Sequence, residues 1–344
     1  MAAAFRIGLI GLGHVGSAFA ARLKQDAGRI AQAAGRPIVL ESVAVARATG
    51  RTAPAPLEDA GALVRRPGLD AVVELMGGME PAHTYLYEAL QAGKQVITAN
   101  KQVVASSGPD LARLGPLRFE AAVASAIPVV EVLAATLASD RIASVTGILN
   151  GTTNVILEAM AGGGSYAVAL ADAQARGYAE ADPSADVEGH DPAAKLTILA
   201  MLAFGKRIDP DRVERRGIGE LDGAQLRDAR ERGAAIKLVA SARDGEGDQV
   251  LADVRPRLVP LADPLARVAG PANGIAIAAG YAGHLYLEGP GAGPDAAASA
   301  VLADVIRSAR EVPAFGGLRL AALAGAPAVS IVPLGSASPY PAAS

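Results

Sequence analysis

The sequence predicts an α/β protein of two domains: a parallel sheet flanked by helices, then a mixed-sheet α+β domain. Three observations carry this. Short β-branched runs alternate with helical patterns through the first third, and 344 residues exceed one ordinary domain. Hydrophobic content is 51% with only 3% aromatics and no Trp, which suits helices packed tightly on strands.

The elements follow in order. Residues 6–10 read as a strand and 17–24 as a helix; 38–45 and 71–75 are strands, 81–92 a helix, and 95–98 a strand. That rhythm is βαβ on a parallel sheet. A Gly- and Pro-punctuated stretch at 114–116 leads to 118–123, and the pattern turns helical near Pro128. The first domain is therefore set at 1–130. Helices at 155–160 and 192–204, with strands at 144–149, 250–258, 274–277 and 285–288, make the second domain, 131–310, which ends on an Ala-rich helix over 295–309. Residues 311–344 form a Gly-, Ala- and Pro-rich tail, expected to pack back on the first domain.

Composition narrows the function. Thirty-two basic and 35 acidic residues are well mixed, for a net charge of -3, so nothing here attracts nucleic acid or an anionic membrane. A small-molecule ligand is expected. The absence of cysteine excludes disulfides and a thiol nucleophile, and fits a reducing cytoplasm. Met1 runs almost directly into the first strand, so no secretory leader is expected, and apolar runs such as 193–204 fall short of the roughly twenty residues that span a bilayer.

Gly11-Leu12-Gly13-His14-Val15-Gly16 follows an apolar strand and opens an amphipathic helix, the setting a dinucleotide fingerprint requires. Gly11 permits the tight turn, Gly13 lets backbone approach a pyrophosphate, and Gly16 packs the helix close, with the helix N-terminus facing the phosphates. The first domain is thus expected to be Rossmann-type, against the plainer alternative of a glycine turn without ligand. The second strand exits through Ala46 into Arg47 with no acid at the exit, since Glu41 lies inside the strand. This favours NADPH, with NADH possible, because an acid reads the 2′-hydroxyl and an arginine the 2′-phosphate; Arg47 as a solvated turn residue is the rival reading. Gly77 and Gly78 end one strand and Thr98 another, followed by Lys101, all on the carboxyl edge where such sheets bind ligands.

The densest signal lies between Gly177 and Leu196. Five carboxylates, Glu180, Asp182, Asp186, Glu188 and Asp191, fall within residues 180–191, and Lys195 follows four residues later. A solvated acidic loop with Asp191 as helix cap before Pro192 explains the acids. It leaves Lys195 unexplained. A lysine in the first helical turn meets a dipole that disfavours its charge, which suits it to proton transfer near neutral pH. The acids suit a cationic amino group; His190 stands alone among them, which weakens a metal reading. Asn150-Gly151-Thr152-Thr153-Asn154 joins a strand to a helix, and its N–H groups and hydroxyls would either cap that helix or accept a carboxylate.

These motifs resemble the homoserine dehydrogenase family: GLGHVG, VVELMGG, TANK ending at Lys101, NGTTN at 150–154, the acidic stretch over 177–196, and GPGAG at 289–293. The resemblance covers most of residues 5–310. It implies Lys195 as acid/base, Lys101 near cofactor and substrate, and Glu180 and Asp191 holding the substrate with Tyr178, Asp186 and the backbone at Gly151 and Thr152. Gly177 and Gly291 would approach the cofactor. The family also binds a monovalent cation, Na or K, largely through carbonyls, which implies Glu120, Val123, Ser125 and Ile127; members usually have glycine where Ser125 and Ala126 stand. A homodimer through the middle domain is implied. The C-terminal regulatory amino-acid-binding domain of many members has no room in 344 residues. The implied reaction is reversible NAD(P)H-dependent reduction of L-aspartate 4-semialdehyde to L-homoserine. The alternatives are an NADP-dependent oxidoreductase of another small amino or oxo acid, and a non-catalytic NADPH sensor.

Overall fold

In the computed structural model, residues 3–46, 52–335 and 338–343 are described. The chain divides into two units, 1–136 with 293–326, and 137–292 with 327–344.

The first unit is built on β1 (Phe5–Ile10), β2 (Ile38–Ala44), β3 (Ala71–Glu74), β4 (Gln95–Thr98) and β5 (Leu117–Arg118). All pairings are parallel, in the order β2-β1-β3-β4-β5. The order reverses at β1, which opens a crevice beyond its carboxyl end. Helices α1 (His14–Gln25), α2 (Ala27–Ala34), α3 (Ala60–Arg65), α4 (Ala82–Gln91) and α5 (Lys101–Ala112) connect the strands. β5 ends in a single 3-10 turn, Glu120–Ala122, before the short α6 (Val129–Glu131).

The second unit carries β6 (Ile142–Ile148), β7 (Glu214–Arg215), β8 (Ala234–Asp244), β9 (Gln249–Pro260), β10 (Ala272–Ala279) and β11 (Gly283–Pro290). The path β11-β10-β6-β8-β9 is antiparallel, while β7 joins β9 in parallel. Helices α7 (Gly151–Ala161), α8 (Tyr166–Ala175), α9 (Ser184–Val187), α10 (His190–Phe204) and α11 (Gly223–Glu231) complete it. α10 is buried along nearly its whole length from Asp191 to Ala203, as an all-round apolar helix must be. A charged side chain inside it therefore has to find partners.

The chain then returns to the first unit. α12 (Pro294–Ala309) lies along α1, with Val301 and Val305 in one cluster with Phe19 and Leu23, and α13 (Phe315–Ala321) packs on α5 and β5. This corrects the expected boundaries: 294–309 belongs with the first domain. Its stripe of Ala298, Val301, Leu302 and Val305 recurs at helical spacing, and burying each large apolar side chain contributes roughly 1.5–3 kcal/mol, which decides where it packs. The tail divides as well. Only its first part joins the first unit, since β12 (Ser330–Val332) pairs with β9 and Arg257 donates to the Tyr340 carbonyl. Among the described residues no helix is long and apolar enough to cross a membrane.

Candidate active site

On the first unit the three fingerprint glycines separate by what surrounds them. Gly11 has φ +97°, and a Cβ there would lie 2.6 Å from the Leu75 carbonyl carbon; a Cβ on Gly16 would lie 2.1 Å from the Gly11 oxygen. Both are required by backbone packing. A Cβ on Gly13 meets nothing within 4 Å, so this glycine keeps the mouth of the turn open. α1 starts at His14 with no side-chain cap and no acid in its first turn, leaving its positive end available to an anion. Leu12 is buried in the core and offers only backbone, while His14 is exposed and Val15 half-buried. A cavity of about 770 Å³ opens here, lined by Gly11, Gly13, Ala44 to Ala46 and Leu75. The residues fit a dinucleotide. Asp59 also lines this cavity and caps α3 through Ala62 N–H (3.0 Å), so an acid does reach the end of β2, from a later segment. Arg47 lies outside the described residues.

The next strand ends are held from inside. Glu74, fully buried, accepts from the Met76 and Gly77 N–H groups (2.8 and 3.0 Å) and from the Thr98 hydroxyl (2.5 Å). Gly77 and Gly78 follow with φ +74° and +77°, a double left-handed turn that glycine adopts freely. Asn100 donates to the Gly78 carbonyl (2.6 Å) and caps α5 at Val103 N–H (3.3 Å), which sets Lys101 as the first residue of that helix. Thr98 was expected to line the cleft. Its hydroxyl is instead fully buried between Glu74 and the Asn100 N–H, where it supports the edge. Glu74 and Asn100 went unrecognised; the one signal was a glutamate closing an otherwise apolar strand.

After β5 the Glu120 carboxylate accepts from Val130 and Glu131 N–H (2.8 and 3.1 Å), while its own N–H donates to Asp304 (3.0 Å). Burial, and then the Asp304 charge, push Glu120 up to about 8; burial lifts Asp304 to about 6. Ala124 and Ser125 hold left-handed φ of 54° and 55°. That conformation costs a non-glycine residue about 1–2 kcal/mol, and the chain adopts it here without glycine at 125. The Ser125 hydroxyl is buried with no hydrogen-bond partner among the described residues. Arg307 approaches both acids, at 4.0 Å from Glu120 and 3.4 Å from Asp304; two buried carboxylates facing one arginine, with an orphaned hydroxyl five residues on, fit a cation.

On the second unit, β6 runs into Leu149 and Asn150, and α7 and α10 start against that end. Lys195 Nζ donates to the Leu149 carbonyl (2.7 Å) and to Asp191 (2.8 Å). Asn150 Nδ2 donates to Asp186 (2.7 Å) and to the same Asp191 oxygen (2.9 Å). Lys195 and Asp191 are 9% and 8% exposed, so this pair is largely withdrawn from water. Asp191 is no helix cap. α10 starts two residues before the expected Pro192, at His190 with Gly189 at φ 87° before it, and the carboxylate lies one turn before Lys195 on the same face. Burial raises the Asp186 carboxyl above its ordinary range, against the lowering effect of the Asn150 amide.

Asn150 also caps α7 at Thr153 N–H (2.9 Å), while the N–H groups of Gly151 and Thr152 meet no partner among the described residues. A Cβ on Gly151 would strike the Pro271 backbone at 2.7 Å. Thr152 donates its hydroxyl to the Tyr178 carbonyl (2.7 Å), and the Tyr178 ring lies under Arg176. Glu180 does not join the cluster: it is exposed, and only its carbonyl is engaged, by Gln174. His190 is exposed against Glu188. Gly177 is exposed at φ +75°, whereas Gly291 is buried, where a Cβ would overlap the Asn273 amide at 2.2 Å. Packing alone accounts for that glycine.

A turn of this kind grips a dinucleotide, and a lysine locked against an acid moves protons; the combination defines a nicotinamide-dependent oxidoreductase. Comparison with known proteins narrows the class. The family model for homoserine dehydrogenase matches residues 128–306, and that for the homoserine dehydrogenase NAD binding domain matches 11–116. The homoserine dehydrogenase of Mycobacterium bovis is 45% identical over 317 residues, covering 88% of this chain and 72% of the relative; that of Corynebacterium glutamicum is 44% identical over 318, with the same coverage. A solved homoserine dehydrogenase from Thiobacillus denitrificans superposes with TM-score 0.89 at 36% identity, covering 96% of this chain and 80% of that one. A hyperthermophilic archaeal homoserine dehydrogenase in complex with NADPH gives 0.79 at 26% identity, over 90% and 99%.

The chain belongs to the homoserine dehydrogenase family. Its activity is the NAD(P)-dependent interconversion of L-aspartate 4-semialdehyde and L-homoserine.

Proposed function

We propose that Lys195 is the acid/base residue of this reaction and that Asp191, Asp186, Gly151 and Thr152 bind the substrate. The observation that carries the reading is the buried Lys195–Asp191 pair at 2.8 Å, at the end of β6. When bound, the nicotinamide supplies the hydride. Reduction also needs a proton on the aldehyde oxygen, which Lys195 Nζ would deliver, with Asp191 holding the ammonium. In the reverse direction the same nitrogen takes the proton from the homoserine hydroxyl. Asp186 and Glu180 would receive the substrate ammonium, and the N–H groups of Gly151 and Thr152 its carboxylate, with Tyr178 closing that side. Lys101, at the start of α5, is assigned to the cofactor edge together with Gly77 and Gly78.

NADPH is the preferred cofactor in this reading, supported by the archaeal relative solved with NADPH. A Na or K ion would be held by the Glu120 carboxylate and the carbonyls of Val123, Ser125 and Ile127, where it would balance the buried charge and brace the loop after β5. A homodimer through the second unit completes the reading, supported by the open outer edge of β11.

The test is Lys195→Ala. Turnover falls by about a hundredfold or more while NADPH affinity, read by nucleotide fluorescence, stays near wild type. Unchanged turnover removes Lys195 from the chemistry.

A further inference from the structure

We infer that Asn150 is a positioning residue for this reaction: its side-chain amide sets Asp186 and Asp191 around Lys195, a task beyond capping α7. The inference rests on Lys195 being the acid/base residue. Both amide hydrogens and the amide oxygen are engaged. Oδ1 accepts from Thr153 N–H (2.9 Å) and from the Thr153 hydroxyl (3.0 Å), and Nδ2 donates one hydrogen to Asp186 (2.7 Å) and one to Asp191 (2.9 Å). A backbone N–H only donates and an ionised carboxylate only accepts, so the amide has one orientation.

The residue is 4% exposed, and the two acids it joins are 36 and 41 residues away in sequence. Asp191 passes the constraint on, since the oxygen that Asn150 holds is the one that receives Lys195. An uncharged bridge between two acids also keeps them close together without adding a charge of its own. Aspartate at this position would cap α7 equally well but would turn a third carboxylate toward the other two.

That difference separates positioning from capping. Ser, Asp and Asn are comparable caps, so Asn150→Asp and Asn150→Ser both preserve the helix start. In Asn150→Asp, kcat falls about 30- to 100-fold and the acidic limb of its pH profile moves up by about one unit, because crowded carboxylates retain a proton to higher pH. In Asn150→Ser, kcat falls about tenfold without that displacement, because the bridge is lost and no charge is gained. NADPH affinity stays at wild type in both, since the dinucleotide turn lies on the other unit. Wild-type kcat and pH profile in both variants overturn the inference and leave Asn150 a cap. If Asn150→Asp does not fold, Asn150→Ser decides by its kcat alone. Should Lys195→Ala prove fully active, the acid/base reading fails; an inactive Lys195→Ala beside fully active Asn150 variants defeats only the inference.

Discussion

Two buried lysines of the second unit invite comparison, because both hold a backbone carbonyl and an acid and only Lys195 is proposed for the site. Lys195 binds a carbonyl and an acid beside Asn150, at the first turn of α7. Lys237, on β8, binds the Val268 carbonyl (2.8 Å), Asn154 Oδ1 (2.6 Å) and, at 3.4 Å, Glu158, one and two turns further on. Burial is common to both, so burial does not separate them. The distinction lies in the acids. Two carboxylates are gathered at Lys195 by one amide, whereas Lys237 rests mainly on neutral oxygens and ties a strand, a helix and a loop together. An acid-rich surrounding keeps a charge where a cationic substrate arrives; a neutral one only satisfies a buried cation.

The same substitution at both positions tests this. Lys195→Met lowers kcat about a hundredfold or more, the largest effect expected. Lys237→Met leaves kcat within about twofold but destabilises the chain by about 2–4 kcal/mol in urea unfolding, because the buried Asn154 oxygen loses its donor and the Val268 carbonyl one of two. Burial lowers the Lys237 pKa, outweighing the Glu158 charge that favours the ammonium. The folded state therefore binds fewer protons than the unfolded one between that lowered value and about 10.5, and stability rises with pH across this window. Lys237→Met should lose that slope relative to wild type. A variant with intact stability and lost turnover would reverse the two roles.

The same pair shows what the sequence made legible. Lys195 stood in a motif whose spacing places Asp191 one turn away, so the partnership could be read before the fold was known. Lys237 could not, because β8 itself was missed: Ala-Ala-Ile-Lys-Leu-Val-Ala-Ser-Ala lacks alternation, being an interior strand between β6 and β9. α5 was missed for the opposite reason. Ser106-Ser107-Gly108-Pro109 reads as a helix breaker, yet Gly108 packs where a Cβ would lie 2.9 Å from Leu320 of α13, and tertiary packing overrides propensity. The parallel sheet and its glycine turn were readable because each is local. The assignment of α12 was not, since its partner α1 lies some 280 residues earlier. Asn150 reads as a cap, which it is; its bridge depends on acids that only the fold brings near.

A more moderate effect is expected of Asp186→Asn. Burial raises this carboxyl, so in wild type the ionised form that receives an ammonium is lost at higher pH than for an ordinary aspartate as the solution is acidified. The variant raises KM for the semialdehyde about tenfold at neutral pH and flattens the acidic limb of kcat/KM, with kcat changed less. An unaltered limb would assign the titration elsewhere and make Asp186 a structural partner of Asn150.

The smallest effect belongs to Glu180. It shares the acidic stretch with Asp186 and Asp191, but its side chain is exposed and outside the Asn150 bridge. An exposed carboxylate acts on a cation through solvent, where a pair contributes about 0–1 kcal/mol, so Glu180→Gln raises KM at most about fivefold and leaves kcat unchanged. Its contribution also weakens with added salt, which screens exposed charges more than buried ones, whereas the Asp186→Asn deficit persists. A loss of kcat in Glu180→Gln as large as that of Lys195→Met would show that substrate draws this acid into the cluster. The distinction between the two lysines would then rest on a third carboxylate, one that stands outside the Asn150 bridge.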